Sequence, residues 1–175
     1  MILTGPEIMR RVEQGGIVID PFNPAQVNPN SYNVRLHPDL QVYNRIPLDS
    51  RLENSTSYLR IPPEGLVLQP NQLYLGRTVE YTVVYGNVIP EIDGRSSYGR
   101  LGVDIHVCAG RGDLGFKGCW TLEIRVTVPV RIYPDCEIGQ LYFVLAEGEL
   151  RNYKGKYQGA QDAQASRSYL DWKEQ

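Results

Sequence analysis

Along most of this chain apolar and polar residues alternate in short runs. Tyr32, Val34 and Leu36 interleave with Ser31, Asn33 and Arg35, and Leu73, Leu75, Val79, Tyr81 and Val83 recur at even spacing. The clearest period of two is Trp120, Leu122, Ile124, Val126 and Val128, which leaves Thr121, Glu123, Arg125 and Thr127 on the opposite face. This spacing predicts strands that turn one face to a core. Val103 to Val107 reads as another strand, with Asp104 and His106 on one face. Only the opening stretch reads as a helix. Thr4-x-x-Glu7 has the form of a capping box, Pro6 falls in the first turn, Ile8 and Val12 share a face, and Gly15-Gly16 supplies a stop. Prolines and glycines punctuate the remainder at Pro21, Pro24, Pro29, Pro62-Pro63, Pro70, Gly86, Pro90, Pro129 and Pro134. Many short strands with frequent turns predict an all-β sandwich, jelly roll or barrel. No internal repeat or low-complexity linker interrupts the pattern. Gly155 to Gln175 is polar and poor in β-branched residues, and reads as a tail that is mobile or docked on a partner.

Composition narrows the picture. The 175 residues are 42% hydrophobic and 22% charged, enough for one globular domain with a core of its own. A formal charge of −2 excludes coating of nucleic acid or an anionic membrane through bulk charge, so any bound anion must meet a local basic cluster. No apolar run approaches ~18 residues and no basic region follows Met1, so neither a membrane span nor a leader is expected, and the expected location is cytoplasmic. The twelve tyrosines are read as β-formers and interface material. The three cysteines, Cys108, Cys119 and Cys136, are odd in number and widely spaced, which disfavours a disulfide framework or a zinc pair. Buried or half-buried thiols are expected instead. His106, with no third ligand in reach of the pattern, is expected to be hydrogen-bonded rather than metal-bound.

Candidate chemistry concentrates in Gly94-Arg95-Ser96-Ser97-Tyr98-Gly99-Arg100 and in Ala109-Gly110-Arg111-Gly112-Asp113-Leu114-Gly115-Phe116-Lys117-Gly118. Two arginines five apart, two hydroxyls and flexible glycines suit a phosphate chain, because guanidinium forks and turn N–H groups both donate to phosphate oxygens. A solvated basic turn between strands has the same composition. Neither the P-loop nor the dinucleotide fingerprint is present. Glu123, by itself, reads as a carboxylate on the wet face of an antiparallel sheet.

Taken in order, these stretches resemble the dCTP deaminases of the dCTP deaminase/dUTPase superfamily. The match runs through Gly94 to Gly102, His106-Val107-Cys108-Ala109-Gly110, Asp113 to Gly118 and Trp120-Thr121-Leu122-Glu123. Met1 to Gly5, Asn28 to Tyr32, Ile138 to Leu141, Gly155 to Gly159 and Ser166 to Tyr169 agree with it. The resemblance implies a mainly β fold, a distorted β-barrel or jelly roll of the dUTPase-like type with an N-terminal helix. It implies one domain over 1–175, with 155–175 a tail closing over the active site, and a homotrimer with sites between subunits. Arg95, Ser96, Ser97 and Arg100 would contact the triphosphate and frame the site. Asp113 would take the deoxyribose 3′-hydroxyl, Thr121 would help seat the base, and Gln140 would lie near the phosphates. Tyr153 and Lys156 would come from the tail. Arg111 is an additional cation that either reaches a phosphate or is solvated.

For chemistry, the resemblance makes Glu123 the proton shuttle, with Ser96 and the Ala109 carbonyl holding the water and Arg100 fixing the local charge. The H-x-E…P-C-x-x-C signature of zinc deaminases is absent, so no protein-bound metal or other cofactor is expected, and Mg²⁺ accompanies the triphosphate. The implied reaction is hydrolytic deamination of dCTP to dUTP and ammonia. The alternative is a bifunctional deaminase and diphosphatase that forms dUMP and diphosphate. A dUTPase, which typically has no Leu-Glu strand like Leu122-Glu123, and a nucleotide-sensing trimer without turnover rank lower. dTTP is a candidate inhibitor, and neither nucleic acid nor membrane is an expected partner. Three positions depart from the family pattern: Cys108 for a frequent threonine beside the base, and Ala160 and Asp162 in the tail.

Overall fold

The opening helix, α1 (Gly5–Glu13), forms where the pattern predicts it, but its start is built differently. Thr4 occupies the N-cap position without a side-chain hydrogen bond, and Glu7 turns to Arg10 and Arg11 at 2.6 and 2.8 Å. Two guanidinium groups outcompete a single backbone N–H for the carboxylate, so the capping box does not form. The computed structural model describes residues 1–173. Its strands are β1 (Ile17–Asp20), β2 (Tyr32–Arg35), β3 (Asp39–Tyr43), β4 (Thr56–Arg60), β5 (Leu66–Leu68), β6 (Tyr74–Val84), β7 (Val88–Gly94), β8 (Val103–Asp104), β9 (Lys117–Val126), β10 (Val130–Ile132) and β11 (Glu137–Leu145). A one-turn helix, α2 (Ser96–Gly99), follows β7. Among the described residues no helix is long and apolar enough to cross a membrane.

The fold is mainly β. The largest sheet runs β4-β3-β6-β9-β8 with β1 also on β6, a second runs β2-β11-β7, and β10 pairs β5. Every strand pairing in these sheets is antiparallel. Among the described residues the sheets enclose one apolar cluster without closing into a continuous barrel. The cluster takes Ile8 from α1, Val34 and Leu36 around β2, Leu122 and Ile124 from β9, and Leu141 and Phe143 from β11, each fully buried. β9 thus buries the face its spacing predicts, while Val128 lies past the strand end and is exposed.

β6 behaves otherwise. The evenly spaced Val79, Tyr81 and Val83 are half-buried, and the strand encloses Thr78, Glu80 and Thr82 instead. The ladder with β9 shifts register between Arg77 and Tyr81. Each polar group turned inward finds a partner there. Glu80 accepts from the Arg35 Nε at 2.7 Å, the Arg35 backbone N–H at 2.8 Å and Gln26 Nε2 at 3.2 Å. Thr78 and Thr82 bond to Trp120. Buried polar atoms are tolerated when satisfied in this way. Gly76, on the same inward face, has no room for a side chain, because a Cβ would lie 2.9–3.1 Å from Ile124, Leu36 and Leu40.

Three further expectations change. The strand read over Val103 to Val107 ends at Asp104: the Ile105 carbonyl still accepts from the Glu123 N–H of β9, but the Val107 N–H turns to the Glu123 side chain; His106 faces Asp93 at 3.3 Å. Of the thiols, Cys119 is buried and Cys136 half-buried, but Cys108 is exposed at a cavity edge. The segment from Gly155 packs on the chain's own sheet: Cys119 N–H donates to the Ala160 carbonyl at 2.8 Å and Gln41 Nε2 to that of Ala163 at 2.8 Å. Its last two residues, Glu174 and Gln175, lie outside the described residues.

Candidate active site

A cavity of about 550 Å³ opens where the outer face of β9 meets the loop before it and the C-terminal segment. Alternation along β9 buries Leu122 and Ile124 and therefore turns Thr121 and Glu123 toward this space. Glu123 is held at both ends. Its N–H donates to the Ile105 carbonyl at 2.8 Å, and its Oε2 accepts from the Val107 N–H at 2.7 Å. One carboxylate oxygen is thereby fixed by a backbone donor. Ala109, Arg111 and Asp113 line the cavity from the loop, and Tyr153 lines it from the C-terminal side. Six of the twelve residues singled out in the sequence thus share one wall: Glu123, Ala109, Asp113, Thr121, Arg111 and Tyr153. Arg111 is ion-paired with Glu91.

The other group sits elsewhere. Ser96 and Ser97 stand exposed on α2, with Arg100 exposed at its end, and none of the three lines the cavity. Arg95 is paired with Glu137 at 3.0 Å, and Glu137 accepts from Asn33 Nδ2 at 2.7 Å. Gln140 Nε2 in turn donates to Asn33 Oδ1 at 3.2 Å and Ser31 Oγ at 3.1 Å. Arg95 and Gln140 are therefore joined through one polar network on the β2-β11-β7 sheet. Within a single chain the Arg95–Arg100 turn with Gln140 and the Glu123 cavity form two separate groups.

Lys156 belongs to neither. Its ammonium meets both oxygens of Asp171 at 2.7 and 2.6 Å, and this pair raises its pKa. The tail positions that depart from the family pattern are used in docking. The Ala160 carbonyl pairs with β9, and Asp162 accepts from the Tyr58 hydroxyl at 2.8 Å and faces Arg77 Nε at 3.4 Å. Gln164 N–H donates to Thr121 Oγ1 at 2.9 Å, and Ser166 N–H to the Tyr43 hydroxyl at 3.0 Å.

Sequence reasoning missed most of the apolar wall. Tyr43, Leu48, Leu75, Phe116, Trp120 and Tyr157 all face the cavity. Trp120 carried a signal, as an indole at the start of the strand that bears Glu123. Tyr43 and Leu48 carried none, because only the tertiary fold brings the end of β3 and the loop after it to this cavity.

A mainly β fold thus carries a carboxylate-bearing cavity and, apart from it, an Arg-Ser-Ser turn. Residues 2–146 match the family model described as dCTP deaminase-like. A protein of Leptospira biflexa named "dCTP deaminase, dUMP-forming" is 51% identical over 173 residues, 98% of each chain. One of the same name from Hathewaya histolytica is 50% identical over 98% of this chain and 99% of its own. The crystal structure of 2′-deoxycytidine 5′-triphosphate deaminase from Agrobacterium tumefaciens has the same fold, with a TM-score of 0.67 at 19% identity. That match covers 83% of this chain and 48% of the other, so the chain spans about half of that protein. The chain belongs to the dCTP deaminase-like family.

Proposed function

We propose that this protein deaminates dCTP and then hydrolyses the triphosphate, releasing ammonia, dUMP and diphosphate. The names of the half-identical relatives favour this bifunctional reading over one that stops at dUTP. The observation that carries the deamination is Glu123, a carboxylate on the cavity wall with one oxygen fixed by the Val107 N–H. Its second oxygen then serves as base toward water adding at C4 and delivers that proton to N3; it next takes the proton of the new C4 hydroxyl and passes it to the amine, which leaves as ammonia while the C4 carbonyl forms. Ala109 supplies a carbonyl for that water. Asp113 takes the 3′-hydroxyl and Thr121 the base edge, once Gln164 yields its bond.

Ser96, Ser97, Arg95, Arg100 and Gln140 serve the water and the phosphates from a neighbouring copy. Their separation from the cavity within one chain supports a homotrimer with shared sites. Mg²⁺ enters on the triphosphate as part of the substrate. Lys156 exchanges Asp171 for a phosphate oxygen, and Arg111 leaves Glu91 in the same way. dTTP shares the sugar and triphosphate and competes for these contacts. A reaction on free deoxynucleotides fits a cytoplasmic protein. Chromatography of products from dCTP and Mg²⁺ tests the reading. The parent is expected to give dUMP, and Glu123→Gln to deaminate at least ~10³-fold more slowly. Accumulation of dUTP alone would favour the simpler deaminase, and near-normal turnover in Glu123→Gln would overturn the assigned base.

A further inference from the structure

We infer that Thr82, buried behind the cavity wall, is a positioning residue that sets the Asp113 loop through the indole of Trp120. The inference rests on the proposed reading of Asp113 as the partner of the 3′-hydroxyl.

Trp120 has no paired residue in the β6–β9 ladder, since the register passes from Arg77 opposite Thr121 to Tyr81 opposite Cys119. Two threonines from the inward face of β6 take its donors. Thr78 Oγ1 accepts the Trp120 backbone N–H at 3.0 Å, and Thr82 Oγ1 accepts the indole Nε1–H at 3.0 Å. Thr82 is itself only 1% exposed and also reaches the Gly118 carbonyl at 3.3 Å. With its nitrogen end held, the indole has a fixed orientation. Its far edge meets Gly112, where a Cβ would lie 2.7 Å from Trp120 Cη2, and it packs against the tilted Phe116 ring at 4.9 Å between centroids. Gly112 and Phe116 bracket Asp113, and the Phe116 N–H donates to the Asp113 carbonyl at 3.1 Å. A rotation of the indole therefore displaces Gly112 and Phe116, on either side of Asp113, together. Displacement by ~1 Å is enough to degrade a substrate contact.

Thr82→Val keeps the volume and removes the acceptor, whereas Thr82→Ser keeps the hydroxyl. The test compares dCTP with its 2′,3′-dideoxy analogue, which has no 3′-hydroxyl. The parent is expected to prefer dCTP, and Thr82→Val to shrink that preference in kcat/KM by roughly tenfold, mostly through KM, as expected when one hydrogen bond to a charged group is weakened. Thr82→Ser restores the preference. Trp120→Phe, which removes the same donor, reproduces the loss and carries the test if Thr82→Val does not fold. Hydrogen exchange across residues 109–115 is expected to quicken in Thr82→Val but not in Thr82→Ser. An unchanged preference with unchanged exchange in folded Thr82→Val, or equal damage from serine and valine, would overturn the inference. A parent that makes no product from dCTP would instead sink the proposed function, and the exchange measurement would still decide the role of Thr82.

Discussion

Glu80 is fully enclosed, and its charge is answered by an Arg35 side chain that keeps 28% of its surface in water. Removing one partner of a buried pair leaves the other charge uncompensated, which typically costs ~3–5 kcal/mol. Because Arg35 can still reach solvent, Glu80→Ala is expected at the lower end, about 3 kcal/mol, read as a shift of the urea midpoint with unchanged slope. A change below about 0.5 kcal/mol would mean that the pair adds nothing to the fold. Burial acts on neutral groups too. It pushes the Tyr32 hydroxyl up to about 12, although the Asn23 N–H donating to it at 2.9 Å works the other way.

Among the elements, α1 offers the clearest pH signature. Hydrogen bonds from Arg10 and then Arg11 lower the Glu7 carboxyl to about 2. A carboxylate depressed on folding adds stability that is complete above its ordinary range, near ~4.3, and is lost as pH falls through the folded value. Glu7→Gln is therefore expected to be less stable than the parent at neutral pH, with the difference shrinking below the ordinary carboxylate range and gone only once pH has fallen through about 2. Thermal unfolding of both proteins across that range checks it; a constant difference would show that charge pairing is not the cause. α1 and β9 were legible in the sequence because each sets one apolar face against the core. β6 was legible as a strand but not in its inward face, since the middle of that face is polar and its partners, Arg35 and Gln26, are distant in sequence. The site divides in the same way. Motif residues on β9 and its preceding loop could be named, whereas walls such as Tyr43 at the end of β3 depend on how elements distant in sequence meet.

At the scale of the whole molecule, one chain carries Glu123 in a cavity and Arg100 on an exposed turn outside it. If the working site is shared by neighbouring copies, two inactive variants should rescue each other. Glu123→Gln and Arg100→Ala, unfolded together and refolded as mixed trimers, are expected to regain about a quarter of parental deamination, because a random mixture pairs an intact residue of each kind at about one site in four. Light scattering should report three copies. No recovery from mixed trimers of that mass would place each site within a single chain.

The inward polar stripe of β6 also bears on how the chain chooses among possible structures. Sliding this strand by one residue would carry Val79, Tyr81 and Val83 into the interior and turn Glu80 out to water. For this central stretch hydrophobicity favours the slipped arrangement, which would also turn the buried Tyr74 and Val84 outward and draw Arg77 inward. The threonines and the Glu80–Arg35–Gln26 contacts oppose it, because only the native alignment gives each of them a partner. The stripe thus works as a key for alignment: replacing it wholesale with aliphatic residues would keep a greasy interior while erasing the distinction between the right pairing and its nearest wrong one.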